Sequence, residues 1–94
     1  MESFHHIILI NLDDAKVVNI TAELSKIRFS KYAGIRGIHR VEDQPDPGYT
    51  CLAIRFERTA AKVSRNEGIA INDLIAIARI IERHGGTITK IDVL

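Results

Sequence analysis

Tyr49-Thr50-Cys51-Leu52-Ala53-Ile54-Arg55-Phe56-Glu57-Arg58 is the clearest strand in this 94-residue chain. Leu52, Ile54 and Phe56 fall on one side of an extended backbone, and Tyr49, Cys51, Ala53 and Arg55 on the other. Immediately before it, Asp43-Gln44-Pro45-Asp46-Pro47-Gly48 holds both prolines and reads as a loop. Residues 35–42, with Ile35, Ile38 and Val41, predict the strand that enters this loop, although Gly37 weakens its interior. Upstream, Asp13 and Asp14 supply an N-cap and a charge suited to a helix dipole. Val17, Ile20, Leu24 and Ile27 then recur on one helical face. That helix is expected to fade near Phe29 to Ala33 and to stop at Gly34.

The opening segment, Phe4 to Leu12, is too short for an independent helix and is apolar on both sides. Phe4, His6, Ile8 and Ile10 share one face; His5, Ile7 and Leu9 share the other, as in the central strand of a sheet. Beyond Arg58, residues 59–66 read as a short helix capped by Thr59, with Gly68 past its end. A longer helix follows, capped by Asn72, with Leu74, Ile77, Ala78 and Ile81 as its stripe and Gly85-Gly86 as its stop. Thr87 to Leu94 closes the chain as a strand. The order β-α-β-β-α-β predicts an α+β, ferredoxin-like fold: one domain over 1–94, with a four-stranded antiparallel sheet and helices on one face.

A chain of 10.5 kDa has room for one core. Hydrophobic residues at 46% and charged residues at 27% are a folding composition, which argues against disorder. A net charge of +1 makes no global electrostatic demand for nucleic acid or membrane. One cysteine, Cys51, excludes an internal disulfide. The longest apolar run, Ile7 to Ile10, falls far short of the roughly 20 residues of a spanning helix. Met1-Glu2-Ser3 lacks the basic start of a signal peptide. The expected setting is cytoplasmic, away from membranes.

With helices on one face only, the other face of the sheet is open, and a first strand apolar on both sides needs a second cover. Contiguous exposed apolar surface marks interfaces, so homodimerisation through the open face is the expectation. His6, Ile8, Tyr49, Cys51 and Arg55 are its candidate ligand-binding or interface residues. Between residues 25 and 41 the chain carries Lys26, Arg28, Lys31, Arg36 and Arg40 with no acidic residue. Part of this is ordinary complementation of a helix C-terminus; as a basic patch it would meet an acidic protein surface or a phosphate.

His6-Ile7-Ile8-Leu9, Ala33-Gly34-Ile35, Gly48-Tyr49-Thr50 and Phe56-Glu57 together resemble the stress-responsive A/B-barrel family, within the dimeric α/β-barrel superfamily. The match spans roughly residues 5–58, and its motifs are short. The resemblance implies a homodimer whose two sheets face each other around a barrel, in some relatives a cyclase or lyase acting on a small, often polyketide-like molecule. Those relatives use a His-Pro-x-His motif after the third strand; here residues 57–84 contain no proline and no histidine except His84. Only the opening-strand histidine, His6, carries over.

Other chemistry is sparse. His5 and His6 are adjacent on a strand and point to opposite faces, and His39 and His84 lack companions at ligand spacing, so no metal is expected. The RNA-recognition fold shares the topology, but Ile8 and Cys51 stand where its base-stacking rings are expected, with Tyr49 retained, and nucleic-acid binding is disfavoured. No phosphate loop, nucleophile elbow or paired-carboxylate arrangement is present. The leading expectation is a non-catalytic binding protein, a regulator or inhibitor working through protein contacts without a cofactor. The alternative is an A/B-barrel enzyme or carrier for a small hydrophobic molecule.

Overall fold

The computed structural model describes residues 2–42, 46–60 and 69–93. Its elements are β1 (Glu2–Asp13), a single 3-10 turn (Asp14–Lys16), α1 (Val17–Leu24), β2 (Ala33–Arg40), β3 (Tyr49–Ala60), α2 (Ile71–Arg83) and β4 (Thr87–Val93). The four strands form one antiparallel sheet in the order β2-β3-β1-β4. This is the ferredoxin-like arrangement: β1 and β3 at the centre, β2 and β4 at the edges, and α1 and α2 joining strands that are not neighbours.

Register decides which side chains meet. His6, Ile8, Ile10 and Leu12 of β1 stand opposite Phe56, Ile54, Leu52 and Thr50 of β3. All eight are buried, on the face that α1 and α2 cover through Ile20, Leu24, Ile77 and Ile81. The stripe predicted on the long helix holds at Ile77 and Ile81, and the α1 stripe at Ile20 and Leu24.

The first helix is shorter than its periodicity predicts. It ends at Leu24, and Gly34, expected beyond its end, is buried inside β2. The reason is tertiary. Ser30 donates its backbone N–H and its hydroxyl to the two carboxylate oxygens of Asp73, at 2.9 and 2.5 Å, so a helical bond is exchanged for a clamp onto α2. Ile27 and Phe29 still pack on the core from irregular backbone, Phe29 meeting Phe56 edge-on with ring centroids 5.3 Å apart. Asp73 is only 4% exposed while Ser30 is exposed, so removing the carboxylate loses two hydrogen bonds whose donors turn to water. Asp73→Ala is therefore expected to lower unfolding free energy by about 2–3 kcal/mol in urea titrations, with Asp73→Asn losing less.

Other boundaries move too. β2 begins two residues before the predicted position, at Ala33, and ends at Arg40. Thr59 and Ala60, expected to open a short helix, continue β3, and the rest of that expected helix, 61–68, lies outside the described residues. Residues 43–45 of the expected loop also lie outside them; the described part ends in a turn where Tyr49 N–H donates to the Asp46 carbonyl. Asp13 caps the 3-10 turn that leads into α1, accepting from the Ala15 N–H, whereas Lys16 is the N-cap of α1 itself and makes no side-chain bond; Asp14 accepts the Thr50 hydroxyl and ties the 3-10 turn to β3. Ala70, not Asn72, is the N-cap of α2 and makes no side-chain bond; buried Asp73 supplies the acidic charge in the first turn.

Gly85-Gly86 stops α2 as predicted. Gly85 takes φ +72°, and the N–H groups of Gly85 and Gly86 return to the carbonyls of Glu82 and Ile81, the paired bonds of a Schellman motif. A Cβ on Gly86 would lie 3.2 Å from the Asn11 carbonyl oxygen, so glycine also lets α2 turn closely onto β1.

Candidate functional site

The uncovered face of the sheet is built from the alternate residues of the same strands. Reading across from β4 to β2, one row is Asp92, Ile7, Arg55 and Gly37, and the next is Lys90, Leu9, Ala53 and His39. To one side lie His5, Glu57 and Gly34; to the other lie Thr87, Asn11 and Cys51, then Asp13 and Tyr49. Ile7 and Leu9 are half-buried with no helix of the described residues over them, and Cys51, Ala53 and Gly34 are sunk between larger neighbours. The centre of this face is therefore low and apolar, with a polar rim.

The rim carries both signs. Arg36, Arg55 and Lys90 are balanced by Glu57, Asp92 and Asp13. Arg36 reaches the face because β2 is irregular between Ile35 and Gly37; its Nε lies 3.6 Å from Glu57 Oε2, and His5 Nδ1 lies 3.8 Å from the same oxygen. Lys90 Nζ lies 3.5 Å from Asp92 Oδ2 along β4.

The structure divides the site residues expected from sequence. Tyr49, Cys51 and Arg55 share the open face, Tyr49 half-exposed, whereas His6 and Ile8 lie on the helix-covered side with almost no exposure. The physical reason is register: β1 is apolar on both sides, so its sequence does not say which side turns to the helices, and pairing with Leu52, Ile54 and Phe56 decides it. Ile8 is thus no stacking position for a base, and His5 and His6 do fall on opposite faces. Among the described residues no three His, Cys, Asp or Glu side chains group to hold a metal, and no helix is long and apolar enough to cross a membrane.

His6 is an unusual core residue. Among the described residues neither ring nitrogen has a hydrogen-bond partner. Burial, then the charge of Arg58 and of His5, pushes its pKa below the ordinary 6.5. The unfolded chain takes up this proton near pH 6.5 and the folded chain only at lower pH, so unfolding binds protons between the two values. Stability from this group is complete above about pH 6.5, falls as pH drops below it, and levels off once the folded imidazole titrates. Melting temperatures from pH 7.5 to 5 should therefore decline, and His6→Leu should flatten the decline. An equal slope in that variant would assign the effect elsewhere.

The basic residues do not form one patch. Lys26, Arg28 and Lys31 are exposed in the connection between α1 and β2, with Lys31 over the Tyr32 ring. Arg36 is on the open face, and Arg40 is seven residues from Ala33, about 23 Å along the strand. Arg40 instead lines a cleft of about 420 Å³ with Asp14, Glu42, Tyr49 and Cys51. A second cleft, about 280 Å³, lies between Leu24, Ile27, Phe29 and Ile35, and neither Lys26 nor Arg28 lines it. Sequence reasoning missed Ile7, Leu9 and Asp92 as site residues; the alternation of β1 held the first two, but only the sheet order brings β4 beside them.

No family model matches this chain, and no curated protein matches it.

Proposed function

We propose that this is a small non-catalytic binding protein that acts through protein contacts and self-associates through its open sheet face. The observation that carries the reading is the uncovered row pair of Ile7, Leu9 and Ala53, apolar at the centre and charged at the rim, which is the anatomy of an interface. Equal numbers of both signs on that rim suit contact with a second copy of the same face. Lys26, Arg28 and Lys31 are left as a basic contact for an acidic partner surface. The cytoplasm suits a chain whose single thiol has no second cysteine to join.

Light scattering at several concentrations and two salt levels tests the reading. A mass of at least twice the 10.5 kDa chain is expected; a monomer at every concentration overturns self-association.

A second reading, a carrier or lyase-like enzyme for a small molecule, is supported by the cleft where Tyr49 and Cys51 meet Arg40, Glu42 and Asp14. His6 does not line that cleft, so the resemblance to A/B-barrel enzymes brings no histidine to it.

A further inference from the structure

Among the described residues β4 is an edge strand, hydrogen-bonded to β1 on one side and to no strand on the other. Such an edge is a template for another strand unless it is blunted. β4 contains no proline, and its bulge, the extra residue Thr89 between Ile88 and Lys90, precedes the regular stretch from Lys90 to Val93. Its side chains instead read as a pairing code. On the open face stand Lys90 and Asp92; on the helix side stand Ile91, 41% exposed, and Val93, 68% exposed. These two apolar side chains lie at the margin of the helix layer with room for cover.

We infer that β4 pairs antiparallel with β4 of a second copy of this chain, about a two-fold axis at Ile91. Charge selects this register. Centred on Ile91, each Lys90 faces the other copy's Asp92, and each Asp92 faces its Lys90, giving two cross-strand pairs of opposite sign. Centred on Lys90 or on Asp92, the same strand sets like charges directly opposite. With Ile91 at the centre, the two isoleucines meet on the helix side, and the regular pairing spans Lys90 to Asp92, short of the bulge at Thr89. Both sheets then run on as one of eight strands, and the two open faces lie side by side as one surface. The contact is isologous and closes on itself. It uses the outer edge of β4, but Lys90 and Asp92 also belong to the rim of the open face, so the charge variants are read in a chain whose open-face contact has been removed.

The test uses the Leu9→Asp chain, in which the open-face contact is removed and solution mass reads the edge alone. That chain is expected to form a dimer. Lys90→Glu and Asp92→Lys in this background should each raise the dissociation constant at least tenfold. An equimolar mixture of the two single variants should recover the dimer, because in the mixed pair every position 90 faces a position 92 of opposite sign. The chain carrying both substitutions should dimerise by itself, which separates lost pairing from lost folding. A Leu9→Asp chain that is folded by circular dichroism yet monomeric up to millimolar concentration overturns the proposal. So does a mixture no heavier than its separate components. If Leu9→Asp instead leaves the wild-type mass unchanged and the charge variants lower it, the edge contact stands and the open-face reading falls.

Discussion

Leu9→Asp is expected to halve the solution mass of the protein while leaving the chain folded. Leu9 sits at the middle of the open face, beside Ala53 and Lys90, half-buried and with no helix of the described residues over it. In a face-to-face pair it lies in the dry centre, and the two-fold puts two new carboxylates there, each with only Lys90 beside it, a cation already paired with Asp92. Burying an uncompensated charge is among the costliest single changes at an interface; about 4 kcal/mol for the pair raises the dissociation constant on the order of a thousandfold. In the separated chain the same carboxylate reaches water, so the loss in fold stability is limited to strand propensity and partial burial, about 1 kcal/mol. Thr87→Asp, at the rim of the same face, should change the mass little. Sedimentation or light scattering reads the first effect and thermal melting the second. A large fall in melting temperature with no change in mass would mean that Leu9 is structural and the open face is not an interface.

Phe56→Ala is expected to cost about 3–5 kcal/mol, a large part of what a domain of this size has. Phe56 is fully buried on β3, opposite His6 on one side and Ile35 on the other, with the edge of the Phe29 ring against it. Its removal opens a cavity that strands on both sides hold apart, so little of the space can collapse. Urea titration should show a much lower midpoint with partial unfolding at 37 °C. Phe29→Ala, at a half-buried site on irregular backbone that can close over the gap, should lose less than half as much. Equal losses at the two positions would place the weight of the core on the α1–β2 connection and not on the central strands.

The fold was largely legible because the clearest signals are local. Alternation at Leu52, Ile54 and Phe56, the cap at Asp13 and the stop at Gly85-Gly86 each rest on residues within a few positions of one another. The misreadings share another cause. The stripe Val17, Ile20, Leu24 and Ile27 is helical in spacing, and nothing within 13–34 reveals that a carboxylate 43 residues away captures Ser30 and ends the helix early. Asn72 is a good capping residue by type, yet the helix starts at Ile71, and the buried acid of its first turn is held for Ser30.

The candidate site divides in the same way. Spacing along the chain was enough to show that β1 is apolar on both sides and that β3 carries small and polar residues opposite its large aliphatics. Those properties follow from side-chain alternation, which any extended chain obeys. Pairing with β3 was needed to turn His6 and Ile8 inward and Ile7 and Leu9 outward, because either side of so symmetric a strand could meet the helices. The tertiary structure also decided that β4 lies at an edge with Lys90 and Asp92 beside Ile7 and Leu9, and that the five basic residues of 25–41 scatter over two faces and some 23 Å. Hydrogen-bond register and strand order are relations between distant segments, and one-dimensional spacing does not encode them.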